Sequence, residues 1–492
     1  MKTTETLIYF LLCMHLSSAD LRASGHSFFA ALDQDEKVKL YWNVSTANKE
    51  IAFTVEAKTT GWIGFGISSG QGKMEGADIG DRLGSPWDWS RETPDRFTAG
   101  LRADIPGGEG TAKLIYAFHP DDPASENDIP QHDPKNRGVR STFLLNSVEN
   151  EPTLPDDTKT FNFTNNKRAL SSKRTTYWYG VFEFPKLQKR HDIIQIDPII
   201  QEGNEGVVHH MLLYECSDDF PRSNISWEGD LDSPDMPPAV NECRGFSMLA
   251  GWGIGGQSFY YPEHVGFAIG TRESPKIAVM EIHYDNYEHK QGIVDSSGFR
   301  FSLHQPTEKV PGWVFFCWVQ WLGSWHERFT ITWGRDSDIF FNSSHALGRK
   351  GVELPEISRD DHYDANFQEF QIPSKEITVL PGDSLITVCR YETGNEMIEG
   401  GLSTGDEMCL SFHQYYPKVN LTRCWSKQRA GWEKFRDTYG VPNSPSGWSD
   451  KLVSELRKSY QETDEIYAYC NGRNSNQLPG LGKKLVSKPV IL

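Results

Sequence analysis

The sequence predicts a mostly β protein of several domains, on three observations. Short runs alternating apolar and polar residues, bounded by turn residues, recur over most of the 492 positions, the pattern of strands half-buried in sandwiches. Helical periodicity shows only near the C-terminus, around Trp448–Gln461. A chain this long exceeds one core and calls for about three domains at typical domain sizes.

Taken in order, the chain opens on Lys2, an apolar run from Leu7 to Met14, and the small residues Ser17-Ser18-Ala19. That pattern reads as a secretory signal peptide over residues 1–19, too short to span a membrane. No later run reaches the roughly 18 apolar residues of a spanning helix. The expected location is the secretory pathway: outside the cell, or in the lumen of the endoplasmic reticulum or a secretory vesicle. Residues 25–120 read as a β-sandwich from Val38-Lys39-Leu40-Tyr41-Trp42, Ile51-Ala52-Phe53-Thr54-Val55 and Gly61-Trp62-Ile63-Gly64-Phe65-Gly66. The pattern fails from Gly80 to Gly110 and returns at Leu114–Phe118. Residues 121–170 are polar and proline-bearing and read as a linker. Strands recur over 171–302, at Tyr177-Trp178-Tyr179, Ile193–Ile196, Val207–Tyr214 and Lys276–Tyr284. A further domain over 303–425 has Ile377-Thr378-Val379-Leu380 and Ser384–Cys389 as its clearest strands. Residues 426–492 form a C-terminal extension.

A formal charge of −17 argues against nucleic acid as a partner, which needs a basic footprint, and against a polybasic membrane surface. Removing the signal peptide removes Cys13 and leaves Cys216, Cys243, Cys317, Cys389, Cys409, Cys424 and Cys470. An oxidising compartment favours disulfides, and the odd count leaves one thiol over or paired outside the chain. Asn43, Asn162, Asn224, Asn342 and Asn420 stand in N-x-S/T sequons, candidate glycosylation sites consistent with that compartment.

Three stretches carry chemistry. The pair His209-His210 lies in an apolar, strand-like run ending at Cys216. Successive strand residues point to opposite faces, so both imidazoles reach one ion only if the strand twists or bulges. Otherwise one histidine is buried and the other exposed. Imidazole suits copper, zinc, iron and nickel. A third histidine, His283, ends the run Val279-Met280-Glu281-Ile282-His283. Met408 lies beside Cys409, and alone it reads as core filler.

Together these stretches resemble the copper type II, ascorbate-dependent monooxygenases, in the branch that carries an N-terminal DOMON module. The resemblance rests on Thr175-Thr176-Tyr177-Trp178, on Gly203–Tyr214 with its His-His pair, and on Tyr261-Pro262-Glu263-His264-Val265-Gly266. Further matches are Glu281-Ile282-His283-Tyr284-Asp285-Asn286, Asn366–Phe370, Pro381-Gly382-Asp383 and the Met408 segment, with residues 27–78 resembling the first half of a DOMON sandwich. It implies a DOMON-like β-sandwich followed by two jelly-roll-type β-sandwich copper domains, over 171–302 and 303–425. It also implies two coppers, ascorbate as reductant, dioxygen as co-substrate, and a small substrate of the aromatic-amine kind, dopamine or tyramine, hydroxylated at a C–H bond. One copper would be held by His209, His210 and His283, and the other by a His-x-His pair plus Met408, a soft thioether suited to Cu(I). His345 and Met408 would carry the catalytic oxygen chemistry. Cys216 with Cys243, and Cys389 with Cys409, match disulfide positions. Cys424 and Cys470 match family cysteines whose usual partners are missing here.

The chain departs from that pattern at Ser343, which stands where the first histidine of the His-x-His pair is expected, with His345 at the second. Residues i and i+2 share a strand face, but a neutral hydroxyl is a poor copper ligand. Two readings follow: a monooxygenase, or a secreted copper-binding protein that has lost oxygen chemistry. Gly312–Ser337, with Cys317 and His326, and residues 80–110 also depart from the family. His264, His289, His304, His362 and His413 read as surface or structural residues, and Met74 as core or surface.

Overall fold

The computed structural model describes residues 28–33, 37–45, 50–68, 78–81, 111–121, 130–144, 153–244, 247–305, 310–312, 341–349, 352–371, 376–380, 383–391, 411–416, 421–427, 429–440, 447–462 and 467–472. The signal-peptide segment, most of the 80–110 segment, Met74, Cys317, His326, Met408, Cys409 and Asn420 lie outside these residues.

The N-terminal module is a sandwich of two sheets. Strands β1 (Phe28–Ala31), β2 (Val38–Ser45) and β3 (Glu50–Ala57) make one sheet in that order. The other contains β4 (Ile63–Ser68), β5 (Asp78–Asp81), β6 (Thr111–Phe118) and β7 (Arg137–Phe143), in the order β5-β4-β6-β7. The core between them holds Phe28, Leu40, Trp42, Phe65 and Leu114. Alternation puts Leu40 and Trp42 on one face of β2, and the Trp42 indole N–H donates to the Leu144 carbonyl at 2.9 Å.

The central domain begins inside the segment read as a linker. Its strands are β8 (Lys159–Thr164), β9 (Arg168–Ala169), β10 (Thr175–Glu183), β11 (His191–Ile199), β12 (Val208–Glu215) and β13 (Glu228–Asp230). After the short helix α1 (Pro238–Cys243) come β14 (Met248–Gly253), β15 (Phe259–Tyr260), β16 (Val265–Ile269), β17 (Ile277–Asp285), β18 (Val294–Asp295), β19 (Gly298–His304) and β20 (Val310–Gly312). One sheet runs β13-β10-β17-β12-β14 and the other β20-β16-β11-β19-β8. Trp178, Met211, Leu213, Met280 and Ile282 of the first pack with Ile193, Phe267, Phe299 and Phe301 of the second.

The linker expectation over 121–170 is therefore corrected, since β7 pairs with β6 and β8 with β19. Each lies at the edge of its sheet. Edge strands carry polar residues on their open side, and the exposed Arg137, Lys159 and Asn162 hid the alternation.

The third domain contributes β21 (Phe341–Arg349), β22 (Val352–Glu353), β23 (Ser358–Tyr363) and β24 (Ser384–Tyr391), with β21 paired to all three others. Ile377–Leu380 is not a strand. Ile377, Val379 and Leu380 are exposed, and the Leu380 amide donates to the Asp383 carboxylate at 2.8 Å, closing a turn before β24. The C-terminal extension is stitched back on. Strand β25 (Arg423–Lys427) pairs with β26 (Tyr467–Asn471), and Cys424 is bonded to Cys470 across that pair. The two cysteines left without partners by sequence are thus each other's partner. Between the strands lie helices α2 (Arg429–Tyr439) and α3 (Asp450–Glu462), the second over the segment whose periodicity marked it.

Strand β23 and the turn that follows it join all three units. The buried Asp360 carboxylate accepts from the Thr111 amide at 3.1 Å and from the Thr111 hydroxyl at 2.5 Å. Asp364 accepts from the Ser141 hydroxyl at 2.7 Å, and the Phe367 ring meets Phe143 edge-on at 5.0 Å. On its other side the Gln368 amide donates to the Ile254 carbonyl at 2.8 Å, just beyond β14. A Cβ on Gly253 would lie 2.5 Å from the Gln368 Cβ, so that approach requires glycine.

Candidate metal centre

Strands β12 and β17 are hydrogen-bonded neighbours, and their register breaks once. Val208 lies opposite Tyr284 and His210 opposite His283, so β12 carries one extra residue at His209. A bulge of this kind shifts the alternation by one. Before it, Val208 points into the core between the sheets; after it, Met211 and Leu213 do. Both His209 and His210 are thereby free to face the other way, on the side His283 occupies in β17.

The three imidazoles converge through one kind of atom. Nδ1 of His210 lies 3.1 Å from Nδ1 of His209 and 3.3 Å from Nδ1 of His283. Each of the three offers a ring nitrogen within 4.8 Å of the others, and they are the one such cluster among the described residues. Burial, reinforced by His210, pushes the His209 imidazole down to about 3. Burial, followed by His210 and His209, lowers His283 strongly as well. Imidazoles held neutral keep a lone pair for a metal, and these donors fit a first-row ion in a three-nitrogen site.

The surroundings fix the rings. Tyr177 of β10 stacks on His283 with centroids 4.3 Å apart and planes 6° from parallel. The Ile254 amide donates to the His209 carbonyl at 2.8 Å. Glu281, two residues before His283 and so on the same face, places Oε1 3.6 Å from His210 Nε2. Its Oε2 accepts from the Tyr179 hydroxyl and lies 3.6 Å from Arg244 Nε. Burial favours the neutral acid, but the nearby His210 ring and the Arg244 charge outweigh it and hold Glu281 below its ordinary value. Arg244 follows Cys243, which is bonded to Cys216 at the end of β12. Sequence reasoning missed Glu281, Tyr179 and Arg244 as site residues. The spacing of Glu281 from His283 could have found the first, whereas Arg244 is distant in sequence and carried no signal.

The other candidates stand apart from this cluster. Ser343 and His345 lie two apart on β21, opposite Cys389 and Thr387 of β24. Cys389 is disulfide-bonded, and Cys409 and Met408 lie outside the described residues. His304 Nδ1 lies 3.1 Å from an Asp157 carboxylate oxygen, His264 Nε2 3.4 Å from Glu376, and His289 Nδ1 2.9 Å from the Ser172 carbonyl. His413 Nε2 lies 2.6 Å from the Ser411 hydroxyl. Among the sequon asparagines, Asn162 is exposed, and Asn43 and Asn224 are partly exposed. No helix among the described residues is long and apolar enough to cross a membrane.

Comparison with known proteins places these features. The family model for the copper type II ascorbate-dependent monooxygenase N-terminal domain matches residues 161–291, and that for the C-terminal domain matches 342–435. A DOMON domain model matches residues 34–80. DBH-like monooxygenase protein 1 of Mus musculus is 34% identical over 466 residues, covering 80% of this chain and 74% of the relative. The protein of the same name from Homo sapiens is 34% identical over 464 residues, with the same coverage of 80% and 74%. Dopamine beta-hydroxylase of Canis lupus familiaris is 30% identical over 459 residues, covering 80% of this chain and 72% of the relative.

Proposed function

Since the chain belongs to the copper type II ascorbate-dependent monooxygenases, we propose that it hydroxylates a C–H bond of a small substrate, using ascorbate and dioxygen. The observation that carries this is the convergence of ring nitrogens from His209, His210 and His283. A copper ion bound there would supply a one-electron store cycling between Cu(II) and Cu(I), with ascorbate as donor. The protein's part is to hold three imidazoles converged through both oxidation states, so that little rearrangement accompanies each electron. His345 and Met408 are the residues that would hold the second copper, on the third domain. The substrate class is a small aromatic amine, as the name of the dopamine beta-hydroxylase relatives denotes for those proteins. The disulfides Cys216–Cys243 and Cys424–Cys470 support an oxidising, secretory location.

A second reading has its own observation. Ser343 occupies the position two before His345 on the same strand, where a hydroxyl offers copper far less than an imidazole does. The chain would then be a secreted copper-binding protein without oxygen chemistry. Copper stoichiometry and oxygen uptake on the purified chain separate the two. Two tightly held coppers with ascorbate-dependent uptake, stimulated by a phenylethylamine, support the monooxygenase. One copper without uptake overturns it in favour of the second reading.

A further inference from the structure

We infer that Glu281, seated by Arg244 and Tyr179, is a positioning residue that turns His210 to present Nδ1 to the metal and sets the charge felt by the centre. This rests on the copper reading of the three histidines and names a part of the site that the histidines alone do not supply.

The atoms of the Glu281 carboxylate are divided between two tasks. Oε2 takes the Tyr179 hydroxyl and lies 3.6 Å from the Arg244 guanidinium. Oε1 faces His210 Nε2 at 3.6 Å. A carboxylate only accepts, and an imidazole that gives one nitrogen's lone pair to a metal can donate only from the other. The proton of His210 therefore belongs on Nε2, which leaves the lone pair on Nδ1, the atom facing Nδ1 of His209 and of His283. Carboxylates behind metal-bound histidines act in this way, fixing tautomer and ring orientation and raising ligand basicity.

The supports of Glu281 are themselves built in. Tyr179 lies opposite Glu281 in the β10–β17 ladder, and both side chains are buried. Arg244 lies over the Tyr179 ring, 5.3 Å from its centre, and follows directly on the cysteine bonded to the end of β12. The disulfide thus ties the residue that steadies Glu281 to the strand that carries His210. For stability alone a buried ion pair is a poor investment, because desolvation offsets much of its attraction. Placed against one ring of a metal centre, the same pair has a use. The negative charge favours the more highly charged oxidation state, and Arg244 moderates that preference.

The test uses the full copper-loaded chain carrying His345→Ala, so that one centre reports. Cu(II) and Cu(I) affinities, the reduction potential and the Cu(II) electron paramagnetic resonance spectrum are compared with those of Glu281→Gln, Arg244→Gln and Tyr179→Phe. Glu281→Gln is expected to weaken Cu(II) binding about ten- to a hundredfold and Cu(I) binding less, which raises the potential. Arg244→Gln is expected to lower the potential, because it removes only the opposing charge. Tyr179→Phe is expected to alter the spectrum while copper is retained. An unchanged potential and spectrum in both charge variants, or shifts of the same sign, overturn the inference and leave Glu281 a residue of the fold. Should Glu281→Gln fail to fold, Arg244→Gln decides: a downward shift supports the inference and no shift overturns it. A parent protein whose copper uptake is indifferent to His209→Ala refutes the copper reading itself, a result visible before any of these variants is compared.

Discussion

In the central domain the candidate ligands come from two hydrogen-bonded neighbours, β12 and β17, so that sheet register alone sets the spacing between His210 and His283. In the third domain the candidates come from one strand, β21, and from the Met408 segment, far away in sequence. The first arrangement needs an irregularity, because adjacent residues of a strand diverge, and the bulge at His209 provides it. The second needs none, because Ser343 and His345 share a face by ordinary alternation. The contrast separates two requirements of a metal centre: a backbone that aims side chains at one point, and side chains able to bind. The central domain meets both. In β21 the i, i+2 spacing is that of the proposed second site, and position 343 carries a hydroxyl where that proposal calls for an imidazole.

The largest effect that could break this comparison is loss of the central copper. His283→Ala removes one of three converging nitrogens and is expected to cost at least about a hundredfold in copper affinity, with one copper fewer per chain after dialysis. If the variant keeps the parent's copper, the cluster at β12 and β17 is not the metal centre.

Next in size is a gain. Ser343→His restores a His-x-His pair on a strand flanked by β23 and β24, whose pairing fixes which way the new ring points. It is expected to add close to one copper per chain and to raise ascorbate-dependent oxygen uptake. A parent chain that already binds two coppers, with no further gain in the variant, would show that Ser343 is no defect.

How far the sequence foretold all this differs between the regions. In the central domain Trp178, Met211, Met280 and Ile282 recur with the strand period, and the strands read from them are the strands of the structure. The need for a bulge at the His-His pair was also legible, because period-two geometry forbids two adjacent residues one target. The edge strands β7 and β8 were not legible, since solvent permits polar residues where a buried strand would show alternation. Ile377–Leu380 misled in the opposite sense, an apolar alternating run left exposed before a turn. The bond between Cys424 and Cys470 depends on the register of β25 and β26, which no local pattern records. Arg244 reaches Glu281 only through folding of α1 and the disulfide beside it.

A smaller effect tests whether the central site depends on its neighbours. Gly253 lies opposite His210 in the β12–β14 ladder, and it touches Gln368 of the third domain. Gly253→Ala forces a Cβ against that turn and is expected to destabilise the chain by about 1–3 kcal/mol, the usual cost of overpacking, lowering the unfolding midpoint. Because the Ile254 amide also holds the His209 carbonyl, copper retention at the histidines should weaken with it. Unchanged copper affinity in a destabilised variant would show that the centre is insulated from the domain junction.

The smallest expected effect is a pH dependence at that same junction. Burial raises the Glu369 carboxyl from 4.5 to about 7 against the opposing pull of Arg140, itself a residue of β7 whose guanidinium burial lowers. Between those two values the folded chain holds a proton that the unfolded chain has released. Stability therefore falls as pH rises through that window, and the contribution is whole only below the ordinary carboxyl value. Each tenfold in proton affinity is worth about 1.4 kcal/mol. Glu369→Gln, neutral at every pH, should flatten the unfolding midpoint between about pH 5 and 8 relative to the parent, with its largest stabilising effect at the alkaline end. A parent whose midpoint is as flat as the variant's over this range would mean that burial does not hold the Glu369 carboxyl protonated.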